Sequence, residues 1–337
     1  MTQPAPVRVG LIGGGGIATV HIDGYLRNPD VAVVAAVSDI DPATAQRRAD
    51  ELGAKPFTNF EEMLDTVELD AVDICLPHHL HARAIIAAVE RGLHVLCEKP
   101  LCTEPDEVLA IEAALQESAV FVMPAHNQLF RPVVREAHRL ISSGALGDLY
   151  SVSLTCSFRL GLDAESAGWR GDARAAGGGE LIDSGFHPLY LLGHLIPEQP
   201  QDVFAVLSRH RLHFLPGEDS AEVVVRYPSG TIGKVSTSWA YEPATGTETL
   251  AVAGSMGSIF GSDTELIHLD ADGTRTVHVL PPADTFADEI RHFAAAVLAG
   301  TEPVQTATHG IAALTLVRAA QESHETGARV VLGGASA

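Results

Sequence analysis

Val7-Arg-Val-Gly-Leu-Ile-Gly-Gly-Gly-Gly-Ile-Ala18 is the stretch that decides the fold class. Val7, Val9 and Leu11 alternate as in a buried strand, which runs straight into glycines and then into a helical pattern through Ile17, His21 and Leu26. Gly13, Gly15 and Ala18 fit the G-x-G-x-x-G/A spacing of a dinucleotide-binding turn. The first glycine permits the tight turn and the second lets the backbone approach a pyrophosphate. A small third residue lets the helix lie close on the strand. The helix N-terminus then offers unpaired N–H groups and a partial positive charge to the phosphates. Taken alone, four consecutive glycines are equally compatible with a floppy turn.

The next apolar run, 31–37, ends in Ser38 and Asp39. A dinucleotide fold expects an acid about 20 residues after the glycine motif, at the end of its second strand, to grip the adenosine ribose hydroxyls. The plain alternative for Asp39 is a polar strand end. Asp41-Pro42 reads separately as a helix N-cap followed by proline at the first helical position. Two carboxylates near the ribose repel a 2′-phosphate, and no arginine directly follows Asp39, so NAD is expected over NADP. Arg47 and Arg48, further along, read as solvated helix surface.

Outward from this stretch, strand-like runs near 31–38, 71–76, 94–97 and 120–124 alternate with helical patterns near 42–52, 60–65, 80–91 and 105–117. Asn59 reads as a cap and Gly92 as a helix stop. Near-continuous apolar strands alternating with helices mean a parallel, doubly wound α/β sheet, a Rossmann domain over residues 1–125. A helix near 132–143 follows. Strand-like runs then recur near 149–158, 202–210, 220–227, 231–239, 248–253 and 265–280, with hairpin turns at Pro228-Ser-Gly230 and Asp270-Ala-Asp-Gly273. That predicts an α+β domain over 126–337 with a largely antiparallel open sheet, closed by helices near 284–299 and 306–326, the last of which can pack back on the first domain.

Composition limits the function classes. The 337 residues suit two domains, and 46% hydrophobic with 19% charged residues is the balance of a soluble globular chain. A net charge of −21 argues against nucleic acid and anionic membrane as partners. No apolar run approaches the roughly 20 residues of a membrane span, and the opening MTQPAPVRVG lacks signal-peptide character. Cys75, Cys97, Cys102 and Cys156 show no paired metal spacing, so reduced thiols in the cytoplasm are expected. His78, His79 and His81 crowd together, and His187 and His194 recur at helical spacing, but the two groups fall in different domains and no metal is expected.

Two further segments carry chemistry. The run 94–97 ends in Glu98-Lys99-Pro100, and ligands of open α/β sheets bind beyond the carboxyl ends of the strands. A lysine there points at the cofactor crevice, the alternative being an ordinary surface lysine. The other segment is Gly177-Gly-Gly-Glu-Leu-Ile-Asp-Ser-Gly-Phe-His-Pro-Leu-Tyr190. Asp183 and His187 are four apart and share one face if the segment is helical, where a carboxylate behind an imidazole suits a general base. Pro188 and Gly185 predict a kink or an irregular turn. Spacing alone equally permits a capping Asp and an unrelated surface His. Trp169-Arg170, just before, is a pocket candidate or a loop anchor.

Together the glycine-rich start, Glu98-Lys99-Pro100 with the block PHHLHARAIIAAVERGLHVLCEKPL before it, and GGGELIDSGFH resemble the Gfo/Idh/MocA family of NAD(P)-dependent sugar and polyol dehydrogenases over essentially the whole chain. The resemblance implies that Gly13, Gly15, Gly16 and Ile17 cradle the pyrophosphate, and that Pro77, His78 and Glu98 line the nicotinamide side. Asn127 resembles a cofactor-facing position. Lys99 would touch both the nicotinamide ribose and the substrate hydroxyl, with Asp183 and His187 around the reacting carbon. The family often has Asn where His78 stands, a departure at that nicotinamide-side contact, and commonly Asp where Tyr190 stands, a departure that implies a different pattern of recognised hydroxyls. Trp169, Arg170, His187 and Tyr190 are the expected substrate contacts.

The expectation is an inositol- or sugar-dehydrogenase-like enzyme that oxidises a secondary hydroxyl of a cyclic polyol, sugar or sugar derivative with NAD. His187, held by Asp183, takes the hydroxyl proton and Lys99 stabilises the alkoxide. Two rivals are a redox-neutral enzyme that retains NAD through oxidation, elimination and re-reduction of a glycoside, and a non-catalytic dinucleotide sensor. The open sheet predicts a homodimer or homotetramer.

Overall fold

The structure, a computed structural model, describes residues 5–243 and 249–333. The chain folds into two compact units, neither continuous in sequence: the chain up to Asn127 with Asp284–Ile311, and Gln128–Ala283 with the chain from Ala312 onward. The sequence reading groups 284–311 with the second domain.

In the first unit the elements run β1 (Val7–Ile12), α1 (Ala18–Arg27), β2 (Ala32–Ser38), α2 (Pro42–Leu52), β3 (Lys55–Phe57), α3 (Phe60–Thr66), β4 (Ala71–Ile74), α4 (His81–Val89), β5 (His94–Cys97), α5 (Pro105–Gln116) and β6 (Val122–Pro124). The six strands form one sheet in the order β3-β2-β1-β4-β5-β6, every pairing parallel. This is the Rossmann arrangement expected from the alternation, with its switch point between β1 and β4. The caps are where the sequence puts them. Asp41 accepts from the N–H groups of Ala43 and Thr44, Asn59 from those of Glu61 and Glu62, and Gly92 takes a left-handed φ of 70°. The three residues of β3 escape periodicity because so short an edge strand has no repeat to read.

Residues 285–299 form a helix that packs on α1. Gly24 makes this possible, since a Cβ there would lie 2.5 Å from Ile290 Cδ1. Asn28 donates to the Ala287 carbonyl at 2.8 Å, and Arg291 reaches Asn28 and Asp30.

The second unit opens with α6 (Pro132–Ser142) and β7 (Leu149–Ser157). The short helices α7 (Ala173–Ala176) and α8 (Glu180–Asp183) and the longer α9 (Phe186–Leu195) follow. Then come β8 (Asp202–Ser208), β9 (Ser220–Arg226), β10 (Ile232–Ser238), β11 (Leu250–Gly254), β12 (Gly257–Gly261), β13 (Glu265–Asp270) and β14 (Arg275–Val279). The packed helix at Thr285–Ala299 is α10; α11 (Ala307–Thr326) and β15 (Val330–Val331) complete the chain. Residue 248, where the run 248–253 was expected to start, lies outside the described residues.

Nine strands make one sheet in the order β14-β13-β12-β11-β7-β10-β9-β8-β15. Its pairings are antiparallel except β10 with β7, which is parallel. Glycines at both ends of β12 hide its alternation from a sequence reading. Gly261 is required there, because a Cβ would fall 2.2 Å from the Glu265 carbonyl as the chain turns back.

The register separates two faces. Val203, Ala205, Val223, Val225, Val235, Val152, Leu154 and Val252 are buried on one, where α9 packs on β7 and β10. Phe204, Val224 and Lys234 are cross-strand neighbours on the other, and all three are exposed. No helix among the described residues is long and apolar enough to cross a membrane.

Candidate active site

At the end of β1 the backbone turns through Gly13, whose φ of 97° and whose N–H bond to the Ser38 carbonyl (2.7 Å) carry the chain across β2. A Cβ on Gly13 would lie 2.4 Å from the Cys75 carbonyl oxygen. Gly15 and Gly16 have no atom within 4 Å of an added Cβ and are exposed, an open cradle that fits a pyrophosphate. Ile17 is the N-cap residue of α1 and is also exposed. Asp39 closes the loop from the other side, its Oδ2 accepting the Gly14 N–H at 2.7 Å and its Oδ1 the Asp41 N–H at 2.9 Å. Its neighbour Ile40 is 91% exposed.

Arg48 corrects the sequence reading. Its side chain is only 12% exposed. The guanidinium donates to the Gly14 carbonyl (3.1 Å), the Gly15 carbonyl (3.4 Å) and Thr19 Oγ1 (2.6 Å), besides pairing with Glu51. Exposed glycine-loop carbonyls need donors, and an arginine in the second turn of α2 supplies several at once. Arg47 is exposed, as expected.

Cys97 ends β5, and Glu98 and Lys99 follow it, both buried. Glu98 N–H bonds the Ile74 carbonyl at the end of neighbouring β4, and Lys99 N–H donates to Glu98 Oε2 at 3.1 Å. The Lys99–Pro100 peptide is cis. His81, fully buried at the start of α4, places its ring nitrogens 2.6 Å from the Pro100 carbonyl and 2.7 Å from the Leu76 carbonyl. Burial holds its proton affinity below the ordinary histidine value, against the pull of those two carbonyls. Pro77 and His78 begin the turn between β4 and α4, with His78 buried against the His81 ring. Asn127 donates to Thr285 Oγ1 at 3.3 Å.

Behind this strand end lies a buried polar network that the sequence reading passed over. His21, on α1, is wholly buried with Nδ1 2.8 Å from Asp73 Oδ2 and Nε2 3.1 Å from Glu98 Oε1. Tyr25 donates its hydroxyl to the same Asp73 oxygen at 3.0 Å. Two signals were available: a carboxylate inside the otherwise apolar run Ala71-Val-Asp-Ile-Cys75, and a histidine on the apolar stripe of a helix. His21, Asp73 and Cys75 hold ligand atoms within 4.8 Å of one another. The hydrogen bonds of Asp73 to the other two account for that closeness.

In the second unit, Gly177 caps α7 with a left-handed φ of 74°, and Gly179 is glycine because the chain at 218 presses on it: a Cβ there would lie 2.2 Å from the Glu218 carbonyl oxygen. Leu181 N–H then donates to Glu218 Oε1, fixing the first turn after the glycines. The expected irregularity is present. Asp183 ends α8 and His187 is the second residue of α9, with Ser184 and Gly185 between, so the two do not share the face of one helix. Pro188 falls in the first turn of α9, where its missing N–H costs nothing. A Cβ on Gly185 would meet Leu181 Cα at 2.8 Å.

Asp183 is buried and its Oδ2 accepts Arg170 Nε at 2.7 Å. Arg170 also stacks over the Trp169 ring, 4.3 Å from its centroid. The loop carrying both is anchored by an apolar cluster of Ala167, Leu212, Leu215 and Trp239, and Trp239 Nε1 bonds Ser184 Oγ at 2.8 Å. His187, half-buried, has Nδ1 3.0 Å from the Tyr190 hydroxyl, which also accepts the Gln128 N–H at 3.1 Å. Tyr190 thus engages one nitrogen of the imidazole whose tautomer Asp183 is expected to set. When Nδ1–H donates to the phenol oxygen, Nε2 is left as the basic atom.

Residues 7–126 match the oxidoreductase family GFO/IDH/MocA with its NAD-binding Rossmann fold, and residues 134–260 match the GFO/IDH/MocA C-terminal domain. A D-xylose 1-dehydrogenase (NADP(+)) of Haloferax volcanii is 32% identical over 304 residues, 88% of this chain and 91% of the relative. The myo-inositol 2-dehydrogenase of Thermotoga maritima is 26% identical over 335 residues, 95% and 96% of the two chains. A solved levoglucosan dehydrogenase in complex with NADH superimposes with a TM-score of 0.88 at 25% identity, covering 97% of this chain and 99% of the other.

Proposed function

This chain belongs to the GFO/IDH/MocA oxidoreductase family, and from that premise we propose that it is an NAD-dependent dehydrogenase oxidising a secondary hydroxyl of a cyclic polyol, sugar or sugar derivative. The observation that carries the reading is topological. The carboxyl ends of three adjacent strands, β1, β4 and β5, present the glycine turn, Pro77-His78 and Lys99 side by side. The names of the xylose, inositol and levoglucosan relatives support the substrate class.

Gly13, Gly15, Gly16 and Ile17 would hold the pyrophosphate, Asp39 the adenosine ribose, and Pro77, His78, Glu98 and Asn127 the nicotinamide side. A bound nicotinamide supplies the hydride acceptor. Lys99 stabilises the alkoxide as it forms, an electrostatic role worth most where water is excluded. His187 takes the hydroxyl proton at Nε2, with Nδ1 held by Tyr190. Asp183, Arg170 and Trp169 form a charged and aromatic surface for sugar hydroxyls. The test is NADH absorbance with NAD and a panel of inositols, aldoses and anhydrosugars. A rise with one substrate supports the reading. NAD retained by the purified protein with no NADH released shifts it to the redox-neutral chemistry.

NAD is proposed over NADP because Asp39 is fixed at the second strand end, Ile40 beside it is uncharged, and Arg48 is engaged with the loop carbonyls. Asp39→Ala should lose about 1.5–3 kcal/mol of NAD binding, the range for a charge-assisted hydrogen bond. NADP binding should change less, as measured by titration of both cofactors. Equal affinity of the unaltered protein for the two would sink the assignment.

The outward face of the nine-stranded sheet carries Phe204, Val206 and Val224, 43%, 49% and 44% exposed. We propose that it pairs two copies of the chain in a homodimer, or within a homotetramer. Light scattering should give a multiple of the chain mass, and Phe204→Glu with Val224→Glu should reduce it. A monomeric native protein would contradict this.

A further inference from the structure

Lys99's main chain is held by a carboxylate that is itself held from behind. Glu98 Oε2 accepts the Lys99 N–H at 3.1 Å, and Glu98 Oε1 meets His21 Nε2 at 3.1 Å. The other ring nitrogen of His21 meets Asp73 Oδ2 at 2.8 Å. The direction of the hydrogens follows from the partners. Asp73 accepts from the Tyr25 hydroxyl on Oδ2 and from the Cys75 thiol on Oδ1, at 3.0 and 3.6 Å, so it acts as acceptor at each contact, as an ionised carboxylate does. Glu98 likewise accepts from a main-chain N–H. With both carboxylates ionised, an imidazole facing one at each nitrogen donates at both, which only the imidazolium can do.

We propose that His21 is a permanently protonated positioning residue, bridging Asp73 and Glu98 beneath the end of β5, and that it holds the Lys99 segment for hydride transfer. The inference rests on the reading of Lys99 given above.

The surroundings of His21 agree. Burial by itself lowers its proton affinity, but the Asp73 carboxylate raises that affinity well above the ordinary histidine value. Burial also pushes the Cys75 thiol up to about 12, so sulfur stays neutral. From α10, the Phe286 ring lies tilted against the His21 ring, with centroids 5.6 Å apart. Glu289, on the same helix, is wholly buried, and neither of its oxygens has a hydrogen-bond partner among the described residues. Burial raises Glu289 well above the carboxylate range despite the attraction of His21, so it is the protonated acid of the group. The cluster thus holds two carboxylates, one imidazolium and one neutral acid.

The first measurement is NMR of the full-length protein with isotopically labelled histidine, the His21 signals being assigned by their loss in His21→Gln. About two pH units above the ordinary histidine value of about 6.5, both ring nitrogens should carry protons. Glu98→Gln should return the ring toward a titrating state. A neutral His21 in the native protein at that pH overturns the proposal, whether or not a substrate is in hand. The second measurement compares His21→Gln and Lys99→Ala on the substrate found in the panel. His21→Gln should lower kcat by about 10²-fold through misplacement of the reacting group, with NAD affinity retained. A His21→Gln protein that loses only thermal stability and keeps its kcat makes His21 structural and removes the positioning role. Lys99→Ala with full turnover removes it too, by defeating the reading it rests on, and that outcome is separable because the imidazolium spectrum stands unchanged.

Discussion

Lys99→Ala should cost about 2–4 kcal/mol of transition-state stabilisation, on the scale of removing one preorganised oxyanion donor. That is a fall in kcat of roughly 30-fold to 10³-fold. The structure makes this substitution unusually clean, because the backbone of the strand end is held by groups other than the ammonium. The Glu98 N–H bonds the Ile74 carbonyl, the Lys99 N–H bonds Glu98 Oε2, and His81 sits against the Pro100 carbonyl. Alanine keeps all three. NAD should therefore bind to the variant nearly as before, measured by equilibrium titration, while turnover collapses. Undiminished turnover would falsify the assignment of Lys99.

The second large effect is expected at Gly13, and Gly15 serves as its control. Gly13→Ala must place a Cβ on a residue with φ of 97°, at a cost of about 1–2 kcal/mol. It must also displace main chain, since the atoms in the way are the carbonyl oxygen and carbon of Cys75 at 2.4 and 2.8 Å. The turn cannot yield without moving the end of β4, so both folding stability and NAD binding should fall. Gly15→Ala meets nothing within 4 Å and needs no left-handed backbone, so it should fold as well as the parent. It should lose NAD affinity because the added methyl stands where the pyrophosphate approaches. A thermal melt and an NAD titration of the two variants separate these outcomes. A Gly13→Ala protein with native melting temperature and affinity would mean that the turn is not the cofactor cradle.

Local chemistry determined much of this protein directly. The glycine spacing after an apolar alternation, an acid about 20 residues on, and strands alternating with helices are short-range patterns whose physical causes act within a few residues. They specify the parallel sheet, the caps at Asp41 and Asn59, and the strand end at Lys99 before any tertiary contact is considered. The break between Asp183 and His187 was legible in the same way, from Gly185 and Pro188.

Contacts between distant residues were decided only by the folded chain. Arg48 reads as surface on α2, and becomes the donor to two loop carbonyls only because β1 and β2 are neighbours. His21, Asp73 and Glu98 come from three separate elements, and it is the order β1-β4-β5, with α1 leaving β1, that brings them together. Tyr190 meets a His187 nitrogen because α9 starts afresh after Gly185 and sets the two residues three apart on the new helix. A sequence carries periodicity because each element repeats its own geometry. It does not carry the pairing of elements, which is settled by which apolar faces bury together, and the buried charges and the proton-holding partners of the site follow from that pairing.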